Sequence, residues 1–266
     1  MNTSLRSTIT LFISCALLLV FAGLVSTVHA SHAWGNYHWA RTSNPFSIRV
    51  IDSMTSDWDD NLDVAISDWS ISSVMNVVEQ TGDSSIKTRK RCPAVSGKVR
   101  SCNASYGNNG WLGLAQIWAS GSHITQGTAK MNDTYFLSPR YSETARQHVI
   151  CQEIGHAWGL DHQDESGADL NTCMDYSNTL DNAHPNQHDY AMLETIYAHL
   201  DSVATSSGWS AGGGNGKPTN VGQDIDLDNP SAWGQSVRED EKGNTSFFVR
   251  DLGHGEKVFT FVIWAE

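Results

Sequence analysis

The chain has 266 residues, 17 lysines and arginines against 29 aspartates and glutamates, and a net charge of −12. The one cationic run, Lys87 to Arg91, is short, is broken by Thr88 and reads as a solvated loop, so nucleic acid is not an expected partner. The length suits one substantial core with appendages.

The N-terminus predicts an export signal over residues 1–30. Arg6 supplies the positive start, Leu11 to Val25 is nearly all apolar, and Val28-His29-Ala30 offers a small-residue cleavage site. The expected protein is therefore secreted or periplasmic, with no stable membrane insertion after cleavage. Four cysteines then remain, so two disulfides are the default in an oxidising compartment. Cys92 and Cys102 flank a short Pro/Gly-containing segment, which leaves Cys151 to pair with Cys173.

Residues 31–204 carry the main folding pattern. Phe46-Ser47-Ile48-Arg49-Val50 alternates as a first strand. Leu62, Ala65, Ile66, Trp69, Val74 and Val77-Val78 predict one long amphipathic helix, entered through acidic Asp57, Asp59 and Asp60. From Gly97 to Asn132 the pattern is of strands broken at Tyr106 to Gly110 and at Ser120-Gly121, with Trp111 to Trp118 as one strand. Ser142 opens a second helix, predicted to run to about Trp158 and stop at Gly159. Gln187 to Leu200 predicts a third, with Tyr190, Leu193, Ile196, Tyr197 and Leu200 on one stripe. Residues 205–223 read as a Gly/Ser-rich linker. Residues 224–266 read as an acidic tail ending in a hairpin about Gly253-His254-Gly255. Two strands cannot stand alone, so this tail must dock on the main body or join an edge elsewhere.

The chemistry is concentrated in Gln152-Glu153-Ile154-Gly155-His156-Ala157-Trp158-Gly159-Leu160-Asp161-His162. Positions 152 and 156 lie one helical turn apart on one face and can grip one ion. Glu153 is rotated about 100° around the helix, so it stands beside that ion without ligating it. Gly159 supplies the reversal that returns His162 as a third ligand. Except for glutamine at 152, this is the H-E-x-x-H-x-x-G-x-x-H pattern. Met174-Asp175-Tyr176 follows downstream.

With these residues the chain resembles the metzincin metallopeptidases over about Phe46 to Asp201, and most resembles their matrixin (interstitial collagenase-type) branch. The resemblance implies an α+β fold: a twisted, mostly parallel sheet with an antiparallel edge strand, a long motif helix and a C-terminal helix. It implies zinc held by Gln152, His156 and His162, Glu153 as general base, Met174 in a turn beneath the ion, and Tyr176 near it. It also implies a peptide or protein substrate lying along the edge strand, here Trp111 to Trp118. Arg91-Cys92-Pro93 is a poor match to the zinc-binding propeptide cysteine of matrixins and reads as half a disulfide.

The departure at Gln152 has defined consequences. An amide oxygen is a harder and weaker donor than imidazole for zinc, so affinity falls and a harder divalent ion becomes acceptable. Both donors are neutral, so the ion would keep its full charge. His148 is ~12 Å of helical rise from His156 and cannot share its ion; His184 and His188 are the other candidates for a substitute ligand. The expected function is a secreted zinc endopeptidase. The alternatives are a binding or adhesion protein that lacks stable metal because of Gln152, and a metal-dependent hydrolase acting on a non-peptide substrate.

Overall fold

The computed structural model describes residues 32–177, 179–206 and 228–265. The signal segment and most of the Gly/Ser linker lie outside the described residues. Two disulfides, Cys92–Cys102 and Cys151–Cys173, close as the cysteine spacing predicts and are consistent with an oxidising compartment. Among the described residues no helix is long and apolar enough to cross a membrane.

The fold is α+β, built on one nine-stranded sheet. Its strands are β1 (His38–Trp39), β2 (Phe46–Ser53), β3 (Met75–Thr81), β4 (Lys98–Ala104), β5 (Trp111–Ser120), β6 (His123–Asn132), β7 (Gln235–Glu239), β8 (Thr245–Gly253) and β9 (Glu256–Trp264). The order across the sheet is β3-β2-β4-β6-β5-β9-β8-β7, with β1 also paired to β6. The β2–β3, β2–β4, β4–β6 and β1–β6 pairings are parallel, and all pairings from β5 onward are antiparallel.

The helices are α1 (Asp59–Trp69), α2 (Ile86–Arg91), α3 (Asp133–Phe136), α4 (Glu143–His156) and α5 (Gln187–Ile196). Helix α4 packs against β5, β6 and α1, and its residues from Val149 to His156 are all buried. Buried Trp39, Trp58, Trp69 and Trp158 fill the core around it.

Several sequence expectations need correction. The long helix through Val78 ends at Trp69, because Ser70 to Ser73 breaks it. The Ser70 hydroxyl bonds both the amide and the carbonyl of Val77 and starts β3, where β-branched Val77 and Val78 alternate across the sheet. Lys87 to Arg91 is a short, solvent-facing helix rather than a loop. Ser85 caps it by accepting from the Thr88 amide.

Helix α5 stops at Ile196 instead of Leu200. Buried Tyr197 leaves the helical path, accepting from the Trp39 amide and donating to the Trp158 carbonyl, and Leu200 is exposed. The largest correction concerns β5. The strand forms as expected, yet it is not an edge. The C-terminal hairpin docks on it, and β9 pairs with it from Trp111↔Trp264 to Ser120↔Glu256.

Candidate metal centre and its covering strand

Helix α4 starts where the Ser142 hydroxyl accepts from the Ala145 amide. Its last turn tightens: the amides of Ala157, Trp158 and Gly159 each bond the carbonyl three residues back. This is why the regular helix ends at His156, two residues before Trp158. Gly159 then takes a left-handed φ of 98°, and the chain reverses. The Trp34 and Trp39 indole N–H groups donate to the carbonyls of His156 and Ala157 and fix this end.

Gln152, Glu153 and His156 are completely buried, and His162 nearly so. The His156 and His162 rings lie 4.7 Å apart between centroids. Each ring is oriented through Nδ1, which bonds the Leu160 carbonyl for His156 and Glu165 for His162. Both Nε2 atoms are buried without a partner. Gln152 repeats the pattern: its amide nitrogen donates to the carbonyls of Cys173 (2.8 Å) and Asp175 (2.5 Å), leaving Oε1 buried and unpartnered.

Buried polar atoms are normally hydrogen-bonded. Three orphaned lone pairs, each on a side chain anchored by its other polar atom, form the outer-shell arrangement of a metal-binding triad. The residues present therefore fit a divalent ion held by Gln152, His156 and His162. Burial, with the neighbouring His162, pushes the His156 imidazole well below its usual range, so it is neutral and able to ligate.

Both Glu153 carboxylate oxygens are likewise buried without a partner. Burial raises this carboxyl well above the usual range, partly offset by the Ala115 backbone amide, which approaches without completing a hydrogen bond. Strand β5 can lie this close only because residue 113 is glycine; a Cβ there would collide with the Glu153 carboxylate and with Val149. On the opposite side, a Cβ at Gly155 would collide with the Met174 sulfur and the Trp69 ring. Met174 is fully buried against this helix. Gly155→Ala is accordingly expected to destabilise the fold by about 1–3 kcal/mol, measured as a lower urea midpoint.

Of the other candidate ligands, His184 and His188 are engaged elsewhere. His148 bonds the Asn182 carbonyl through Nδ1 and leaves Nε2 buried without a partner, on the same pocket wall as Gln152. His184 faces Asp68 at 2.7 Å, and His188 stacks on His32. Asp161, His162 and Glu165 bring their ligand atoms together, but Arg238 forms ion pairs with both carboxylates and supplies the positive charge there. With His162 it outweighs the burial of Glu165 and holds that carboxyl low.

Arg238 lies on β7, the strand beside the C-terminal hairpin, and the hairpin itself places a ring on the candidate metal centre. The Phe261 ring stacks on His156 with centroids 4.0 Å apart and planes 10° off parallel. Tyr176, whose ring lies 4.6 Å from that of His162, donates its hydroxyl to the Val262 carbonyl of β9. The site is thus covered by an extended segment of the chain itself. Beside it, His148, Gln152, Tyr176, Asp240 and Trp264 line a small cavity of about 40 Å³.

The docking of the hairpin was not legible in the motif. The alternating apolar residues of β8 and β9 announce strands, but nothing in them names the edge they join. No protein-family model matches this chain, and no curated protein is detectably similar to it.

Proposed function

We propose that the protein is a latent, zinc-dependent endopeptidase of matrixin-like design, with its own C-terminal strand lying in the substrate track. The observation that carries this reading is the set of unpartnered, fully buried donors, Gln152 Oε1, His156 Nε2 and His162 Nε2, beside an unpartnered carboxylate. When bound, a zinc-class ion supplies Lewis-acid polarisation of a carbonyl and acidifies water.

The chain's own residues have separable tasks. Glu153 accepts a proton from the attacking water and delivers it to the leaving amine. The outer edge of β5 hydrogen-bonds an extended peptide in antiparallel register, as it does with β9. Tyr176 Oη donates to a peptide carbonyl, as it does to that of Val262. Such an edge suits polypeptides in extended form and favours a peptide over a non-peptide substrate.

Glutamine at 152 gives the reading its test. After dialysis, elemental analysis is expected to find zinc that His156→Ala and His162→Ala each lose. Gln152→His should retain the ion at chelator concentrations that strip the natural chain, and casein hydrolysis should follow the bound ion. If neither the natural chain nor Gln152→His holds an ion at these residues, and casein stays intact with the strand displaced, the protein is a binding module on a hydrolase-like scaffold.

A further inference from the structure

A second group of metal-ligand side chains lies outside the site already described. The parallel register of β1 on β6 sets His38 directly beside His123. The segment after α5 brings His199 and Asp201 to the same point. Asp201 Oδ1 lies 3.4 Å from His38 Nε2, 3.3 Å from His123 Nε2 and 3.7 Å from His199 Nε2, and the two nitrogens of His38 and His199 are 3.2 Å apart.

The separations from Asp201 to His38 and His123, and from His38 to His199, are close to those of a coordination polyhedron. With bonds of ~2.0–2.1 Å, the ligand atoms of a tetrahedral zinc site sit ~3.3–3.4 Å from one another. The outer groups are also in place. His38 Nδ1 lies 2.8 Å from the Asn36 carbonyl, which can only accept, so Nδ1 carries the proton and neutral His38 presents a bare Nε2 lone pair to the cluster. The second oxygen of Asp201, Oδ2, accepts from the Arg41 guanidinium and the Arg41 amide, both at 3.1 Å, which turns Oδ1 toward the three imidazoles. Without a cation, the only donor for this lone pair among the described residues would be the Nε2–H of His199 at 3.2 Å, with Asp201 Oδ1 facing the same nitrogen at 3.4 Å. Arg41 is itself buried, and its guanidinium donates to Oδ2 and to the His199 carbonyl.

We infer that His38, His123 and Asp201, with His199 beside them as a further ligand, form a structural site for a zinc-class divalent cation, separate from the Gln152–His156–His162 centre. The donor set of imidazoles and one carboxylate suits zinc over calcium or magnesium. The ligands come from the first strand, from the start of β6 and from the end of the main body. The ion would therefore clasp the N-terminal strand to the segment that leads into the linker.

The test uses the full chain, stripped with chelator and reloaded with zinc alone. Zinc surviving gel filtration is counted, and the thermal unfolding midpoint is followed against zinc concentration. His123 is partly exposed and His199 more so, so His123→Ala combined with His199→Ala leaves the buried His38 and the core intact. The double variant is expected to lose one zinc equivalent and the zinc-dependent rise of the midpoint.

A His156→Ala, His162→Ala double variant should keep that equivalent and that rise, which separates this site from the proposed catalytic one even if the latter binds nothing. Unchanged zinc content in a folded His123→Ala, His199→Ala protein would overturn the assignment. So would a natural chain that retains no zinc at all.

Discussion

Replacing Glu153 by glutamine is expected to lower the turnover of a peptide substrate by on the order of 10²–10⁴-fold while leaving zinc content unchanged. The two side chains are nearly isosteric, and Glu153 makes no hydrogen bond whose loss would disturb the helix. Burial already disfavours the ionised carboxylate, so the amide should fold at least as well before metal is bound. Assays in a Phe261→Ala background, with the stacking on His156 removed, keep the covering strand from masking the effect. Turnover that survives Glu153→Gln in that background would remove Glu153 as the base and leave hydrolysis without a proton acceptor on this chain.

Where local pattern decides structure, the sequence was a good guide. The α4 motif, the Gly159 reversal, both disulfides and the hairpin about His254-Gly255 all follow from residues close together in the chain. The α1 boundary was missed because Val74, Val77 and Val78 continue the helical spacing by coincidence, while the serines that break it act through hydrogen bonds to the backbone. Two features had no local signal at all. The cluster at Asp201 gathers histidines from positions 38, 123 and 199, which only the sheet register and the exit from α5 bring together. The pairing of β9 with β5 is likewise a choice among edges, made by tertiary contacts: Phe261 on His156, Arg238 on Asp161 and Glu165, and Trp233 against Trp111 and Leu114.

Those contacts make the covering strand the strongest control that the geometry offers on the proposed activity. Phe261 is fully buried among Phe247, Trp34 and His156, and truncating such a ring costs about 3–5 kcal/mol. If half of that cost falls on the docking of the hairpin, about 2 kcal/mol shifts the covered-to-open balance by roughly 30-fold. Phe261→Ala in the full chain is therefore expected to raise hydrolysis of a fluorogenic peptide by up to that factor, with the gain ending once the open form predominates. Arg238→Ala should act in the same direction, because it detaches β7 from Asp161 and Glu165. Val237→Ala, at an exposed position of the same strand, should change nothing. Amide exchange supplies the structural reading: release of β9 exposes the β5 amides between Trp111 and Ser120 that now pair with it. Faster exchange along β5 with no gain in hydrolysis would show that the strand is part of the finished scaffold and that the cleft beneath it has no peptide to admit.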